Sequence, residues 1–251
     1  MRIAKRRGGT RAAIVAAGIL TILLIPGGAA AAPTETLDPA RCDPGQAFFT
    51  TIDNTYFPLP AGQVWAFTGK EQGQNIGLQI TVTGNTAEFY RGPNRVTTLE
   101  VEELEFEDTD EDGFPDPDEP LIERSLNYYA QTAAGDVCYF GESVDIFEDG
   151  EIVSHEGAWR ADDRGNAPGI FMPHDPAVGQ TFAQERAPGV AEDEATITRI
   201  GQTVTVPAGT FTDTLRTRDF NPLDGSRGTK VYAPDVGLII DGPLNLVRLG
   251  P

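Results

Sequence analysis

Residues 108 to 119 read Asp108-Thr109-Asp110-Glu111-Asp112-Gly113-Phe114-Pro115-Asp116-Pro117-Asp118-Glu119. Carboxylates at the first, third, fifth and ninth places, glycine at the sixth and glutamate at the twelfth satisfy the calcium-loop pattern. Such spacing works because alternate side chains of a curling loop converge on one point, where a hard cation collects about six to eight oxygens. The expected donors to Ca²⁺ are Asp108, Asp110, Asp112, the Phe114 carbonyl, Asp116 and Glu119. Gly113 permits the sharp turn. The segment entering the loop alternates like a strand, and Pro117 and Pro120 oppose an exiting helix. The loop therefore resembles the helix-free calcium loops of extracellular modules, with a structural ion of modest affinity.

Two cysteines, Cys42 and Cys138, are the second feature able to form a defined bond. In an exported chain they are expected to pair, tying the segment 32–50 to a strand containing Cys138. Other chemistry finds less support. Ser154 and His155 are neighbours in an expected strand and point to opposite faces, so they do not make a nucleophile and base. No G-x-S-x-G or H-E-x-x-H pattern occurs. His155 and His174, with Glu156 or Asp175, are a thin beginning for a zinc site. Paired carboxylates of a hydrolase would have to be chosen among 38 acids, and the sequence nominates no pair.

The elements that position these residues read as strands. Short β-prone runs at 64–69, 76–84, 86–91, 96–106, 121–132, 136–141, 144–148, 151–156, 181–186, 195–200, 203–206, 210–220, 230–233, 237–241 and 244–249 are broken by Gly, Pro, Asn and Asp. Asp149-Gly150 predicts a two-residue type I′ hairpin turn. Pro58, Pro60, Pro168, Pro173 and Pro176 are expected in connections. No amphipathic helical window of useful length follows the N-terminal segment. The expectation is an all-β protein of one domain over 51–251: an antiparallel, strongly curved sheet, an open barrel or a sandwich.

The first residues read as an address. Arg2, Lys5, Arg6, Arg7 and Arg11 precede an apolar run over 12–25, and small residues follow as far as Ala32. This predicts a secretory signal peptide over 1–31, cleaved after Ala31, since the apolar run is too short for a spanning helix of about 20 residues. Gly8-Gly9-Thr10 follows the paired arginines, which favours the general secretory route over twin-arginine export. Without those five bases the chain keeps fourteen against 38 acids, a net charge of −24. Such a surface repels phosphate backbones and anionic headgroups, excluding nucleic acid and membrane surfaces as partners.

Several ordered motifs resemble a family of exported bacterial β-rich proteins to which no activity is assigned. They are Asn54-Thr55-Tyr56-Phe57-Pro58-Leu59-Pro60-Ala61-Gly62 with Trp65 and Phe67, Tyr139-Phe140-Gly141-Glu142, Glu156-Gly157-Ala158-Trp159 and Pro168-Gly169-Ile170-Phe171-Met172-Pro173. Gly189-Val190-Ala191-Glu192-Asp193, Val206-Pro207-Ala208-Gly209-Thr210-Phe211 and Tyr232-Ala233-Pro234-Asp235-Val236-Gly237-Leu238 continue the series. The resemblance spans about 52–249 and implies an extracytoplasmic antiparallel β domain without supplying catalytic residues. In that family an aromatic is common where Cys138 stands and the acidic loop is not general, so both are local elaborations. The expected function is a non-catalytic exported domain that binds a ligand or partner or serves as an envelope accessory; the alternative is a secreted hydrolase using paired carboxylates.

Overall fold

The computed structural model describes residues 35–250. The expected signal peptide at 1–31 lies outside them. Among the described residues the regular structure is almost entirely strand, beside one short 3-10 turn at Pro39–Cys42, and the longer strands follow one another as an antiparallel meander. They are β1 (Val64–Glu71), β2 (Gln74–Arg91), β3 (Asn94–Glu107), β4 (Leu121–Thr132), β5 (Val137–Glu148), β6 (Glu151–Ser154) and β7 (Ala167–Met172). The second half adds β8 (Gln180–Ala183), β9 (Glu194–Val206), β10 (Gly209–Phe220), β11 (Arg227–Ala233), β12 (Gly237–Asp241) and β13 (Leu244–Gly250).

β13 pairs with β1, so both halves form one sheet in the order β8-β9-β10-β11-β12-β13-β1-β2-β3-β4-β5-β7. β6 and the short strand Trp159–Arg160 share the outer edge of β5 with β7. Curvature brings the two ends together: β7 meets Glu185–Arg186, just beyond β8, over two residue pairs, Ala167 with Arg186 and Pro168 with Glu185. No continuous ladder closes the barrel.

Bulges produce much of the bending. β2 was expected as two strands and is one, because the register slips between Val82 and Thr86 with Gly84 at φ 77°. Likewise 136–141 and 144–148 merge into β5 through a slip at Tyr128/Tyr129 of its partner β4. The hairpin at Asp149-Gly150 has φ of 53° and 80°, both positive as type I′ requires. β7 corrects the sequence reading: Pro168 lies in a strand rather than a connection. A proline is tolerated there because β7 pairs with β5 only from Gly169 onward, and Pro168 meets its other neighbour, Glu185, in a contact of only two residue pairs. Pro58 likewise sits in the small hairpin Asp53–Asn54 with Phe57–Pro58.

The segment before β1 is fastened at several points. Cys42 and Cys138 form a disulfide, both fully buried. Glu35–Thr36 runs parallel to the start of β8, and Phe48–Phe49 pairs with the end of β4. The Asp53 and Asn54 amides both donate to Gln131 Oε1. Among the described residues no helix is long and apolar enough to cross a membrane.

Candidate ligand cavity and calcium-type loop

In an antiparallel ladder directly paired residues share a face. The pairs Ile80 with Glu103, Glu103 with Ser125, Glu105 with Glu123 and Asn127 with Glu142 therefore align these groups on the face that carries Trp65, Tyr129 and Tyr139. From the other half, Thr217 pairs with Lys230 and Lys230 with Asp241 on the face that also carries Tyr232. The concave face is thus apolar at one end and acidic at the other.

Phe57 fits into the apolar end, 4.5 Å from Phe171, 5.2 Å from Tyr129 and 6.5 Å from Tyr232 between ring centres. Phe171 reaches it because it is the unpaired residue of a bulge between Ile170 and Met172. Tyr129 and Tyr139 stack at 4.8 Å. A cavity of about 30 Å³ remains here, walled by Phe57, Trp65, Tyr129, Phe171 and Tyr232 and floored by Glu103 and Lys230. That is room for about two waters.

The acidic end is electrostatically unusual. Lys230 Nζ lies 2.7 Å from Asp241 Oδ1. Burial opposes the Lys230 charge, but Asp241, Asp219 and Glu103 outweigh it and raise its pKa well above the ordinary lysine range. Burial, aided by neighbouring carboxylates, lifts Glu105 to about 7 and Glu123 to about 8. Burial also lifts Glu142 to about 7. Tyr139 Oη meets both Asn127 Oδ1 and Glu142 Oε2. The hydroxyl donates to Glu142 Oε2 at 3.1 Å, which favours the carboxylate and opposes the rise that burial imposes on Glu142.

The loop 108–119 joins β3 to β4 and folds back over the outer face of the sheet. Arg248 stands 5.5 Å from the Phe114 ring, and a Cβ on Gly113 would lie 3.1 Å from the backbone N and O of Phe67. Asp108, Asp110 and Asp112 bring carboxylate oxygens within 4.8 Å of one another. Asp108 is fully buried and accepts from the Asp112 and Gly113 amides, both at 3.2 Å. Glu119 is turned onto the loop's own backbone, accepting from the Thr109 and Asp116 amides and from Thr109 Oγ1. Burial would raise the Glu119 pKa, yet these hydrogen bonds outweigh it and lower it. Of the expected donors, then, three aspartates converge, while Phe114 is held by Arg248 and the Asp116 amide joins the Glu119 cap.

The histidines have structural surroundings. His155 Nδ1 lies 2.8 Å from the Val144 carbonyl and 2.9 Å from Asp145, just past the end of β6. The His174 ring packs against Gly135, and its amide donates to Asp136. Neither shares a site with Ser154 or with the other. The interior acids were not legible in the sequence, since nothing in 38 carboxylates marks those that turn inward.

No family model matches the chain, and no curated protein does. Among solved structures, a chain from Parabacteroides distasonis ATCC 8503 described provisionally as a lipoprotein is similar over 79% of this chain and 100% of its own, at 13% identity and a TM-score of 0.36.

Proposed function

We propose that the protein is an exported, non-catalytic β domain that holds a small ligand or a partner's group in its concave face and carries one structural Ca²⁺ in the loop 108–119. The cavity carries the first part: aromatic walls with a few convergent polar groups are the usual composition of a binding site. A buried disulfide joining the chain's two cysteines supports an oxidising compartment, as does the resemblance to exported proteins. The acidic net charge keeps nucleic acid out of the reading.

For the ion, the donor chemistry fits. Oxygens bound to one Ca²⁺ at about 2.4 Å stand no farther apart than about twice that distance, and the three aspartates meet the condition. Asp108 is expected to be structural as well, because its buried carboxylate organises two backbone amides. Removing it would harm the fold with or without calcium, so the informative variant is Asp110→Asn with Asp112→Asn. If the dissociation constant is about 10⁻⁴ M, calcium at about 10⁻² M stabilises by about 2.7 kcal/mol. Thermal unfolding should shift upward by several degrees with calcium, much less with magnesium, and little in the double variant. No shift in the unmodified protein up to about 10 mM calcium removes the ion from the proposal.

A second reading, hydrolysis by paired carboxylates, draws on the raised acids Glu105 and Glu123, which face each other across β3 and β4. A general acid is tuned this way. Neither residue lines the cavity, however, so the binding reading is preferred. Thermal-shift screening of small molecules with Trp65→Ala as control tests it: stabilisation that this change abolishes supports an interior ligand, and stabilisation indifferent to it places the ligand elsewhere.

A further inference from the structure

We infer that a cleft between residues 46–51 and the first residues of β3 is a carbohydrate site, taking an uncharged pyranose ring of a glycan. The cleft shares no lining residue with the concave cavity, so the inference goes beyond the reading above and stands or falls separately from it.

The sheet splits at this point. β3 pairs with β4 only as far as Leu99 with Tyr129. Phe48 and Phe49 then take the place of β3 beside Thr132 and Gln131, since the other edge of Gln131 is already paired with Val137. β3 itself stays with β2 as far as the turn at Gly92-Pro93, where Arg91 pairs with Asn94. Backbone groups along an antiparallel ladder point alternately toward the partner strand and away from it. Counted from the Arg91–Asn94 pair that closes the turn, the N–H and C=O of Arg95 and Thr97 therefore turn away from β2, toward the segment 46–51. No ladder joins the two edges, and a cleft of about 360 Å³ lies between them. Small-molecule sites usually measure about 300–1,000 Å³.

The lining selects the class of ligand. Thr50, Thr51 and Thr97 bring hydroxyls that bond to no other described residue, each able to donate and to accept. Gln46 donates its amide to the Ala40 and Arg41 carbonyls and keeps its oxygen as an acceptor. The one charged residue of the lining, Arg95, lies 3.1 Å from Glu88 Oε1, and the Tyr90 hydroxyl donates to the other oxygen of that carboxylate. An ion thus finds no uncompensated charge here, while a neutral ligand whose own groups both donate and accept is well matched. Phe49 supplies the apolar part, 52% exposed and lining the cleft. A lone exposed ring needs no explanation, but a ring set among free hydroxyls and free backbone groups has a complement. A pyranose carries both halves of it: hydroxyls around its rim, and a face of C–H groups that lies against the negative face of an aromatic ring. An extended peptide suits the cleft less well, because it needs a continuous edge to pair with and Phe48–Phe49 is a strand of two residues.

The test is isothermal titration of the exported protein with maltotriose, cellotriose and triacetylchitotriose, beside anionic trigalacturonate and the peptide Ac-Val-Thr-Val-Thr-NH2. At least one neutral sugar is expected to bind at one site with a dissociation constant of about 1 mM or less, and trigalacturonate about 10-fold more weakly. Phe49→Ala and Thr97→Val should each weaken that sugar about 10-fold. Neither side chain is buried, so both variants should fold, as circular dichroism checks. Weakening in either variant supports the cleft, and unchanged binding in both overturns it by placing the sugar elsewhere. Binding of none of the three neutral sugars at about 10 mM also overturns the proposal. So does trigalacturonate binding as tightly as the best neutral sugar, or the peptide binding more tightly than all of them.

Discussion

Gly113 meets two demands at once. Its φ of 79° lies where other residues are strained, and a Cβ would press on the Phe67 backbone and stand 3.0 Å from Val247 Cγ2. The neighbours are backbone and a packed side chain, so they do not yield cheaply. Gly113→Ala should therefore destabilise the protein by about 1–3 kcal/mol, measured by urea unfolding in the presence of chelator. An unchanged midpoint would show that the loop detaches from the sheet at little cost. The glycine was legible as a turn residue from its place in the acidic pattern. Its second duty, the close approach to β1, was not, because no local signal tells which distant strand a loop will cover.

At the scale of elements, most strands were legible because Gly, Asp and Asn punctuate short β-prone runs, and 121–132 and 237–241 were placed to the residue. β7 was missed since Pro168, Gly169 and Pro173 read as loop. The inward face of β3 was hidden for a different reason. Its alternation Val101, Glu103, Glu105 against Leu104 and Phe106 suggests the glutamates face water. In the structure Phe106 is buried against Gly77 beside Asp108, under the acidic loop, and the glutamates turn to the concave side. Alternation fixes which residues share a face; which face is covered depends on elements far away in sequence. The Cys42–Cys138 pairing was expected, and it spans a separation of 96 residues. A loop of that length restricts the unfolded chain by about 4–5 kcal/mol in the chain-entropy model. Reduction should lower the melting temperature by many degrees, and alkylation before reduction should label no thiol in the exported protein.

For the molecule as a whole, the interior acids set the response to pH. Glutamate has an ordinary value of 4.5, kept in the unfolded chain, whereas Glu105 and Glu142 sit at about 7 and Glu123 at about 8 in the fold. Between those limits the folded protein binds more protons than the unfolded one, so its stability falls as pH rises through the window. The urea midpoint should be higher near pH 5 than near pH 8, and Glu123→Gln should flatten the slope. A midpoint that climbs over this range would mean that the buried acids are ionised and well partnered. The disulfide described above also orders the events of synthesis. Cys42 emerges well before Cys138, and the sequence holds no third cysteine with which it could mispair. It must wait as a free thiol until β5 has been made, by which time β1 to β4 have already left the exit. The bond has a single possible connectivity and needs no editing by an isomerase, and the strap that carries Phe57 can be locked down while two of the cavity's walls, Phe171 and Tyr232, are still to be made.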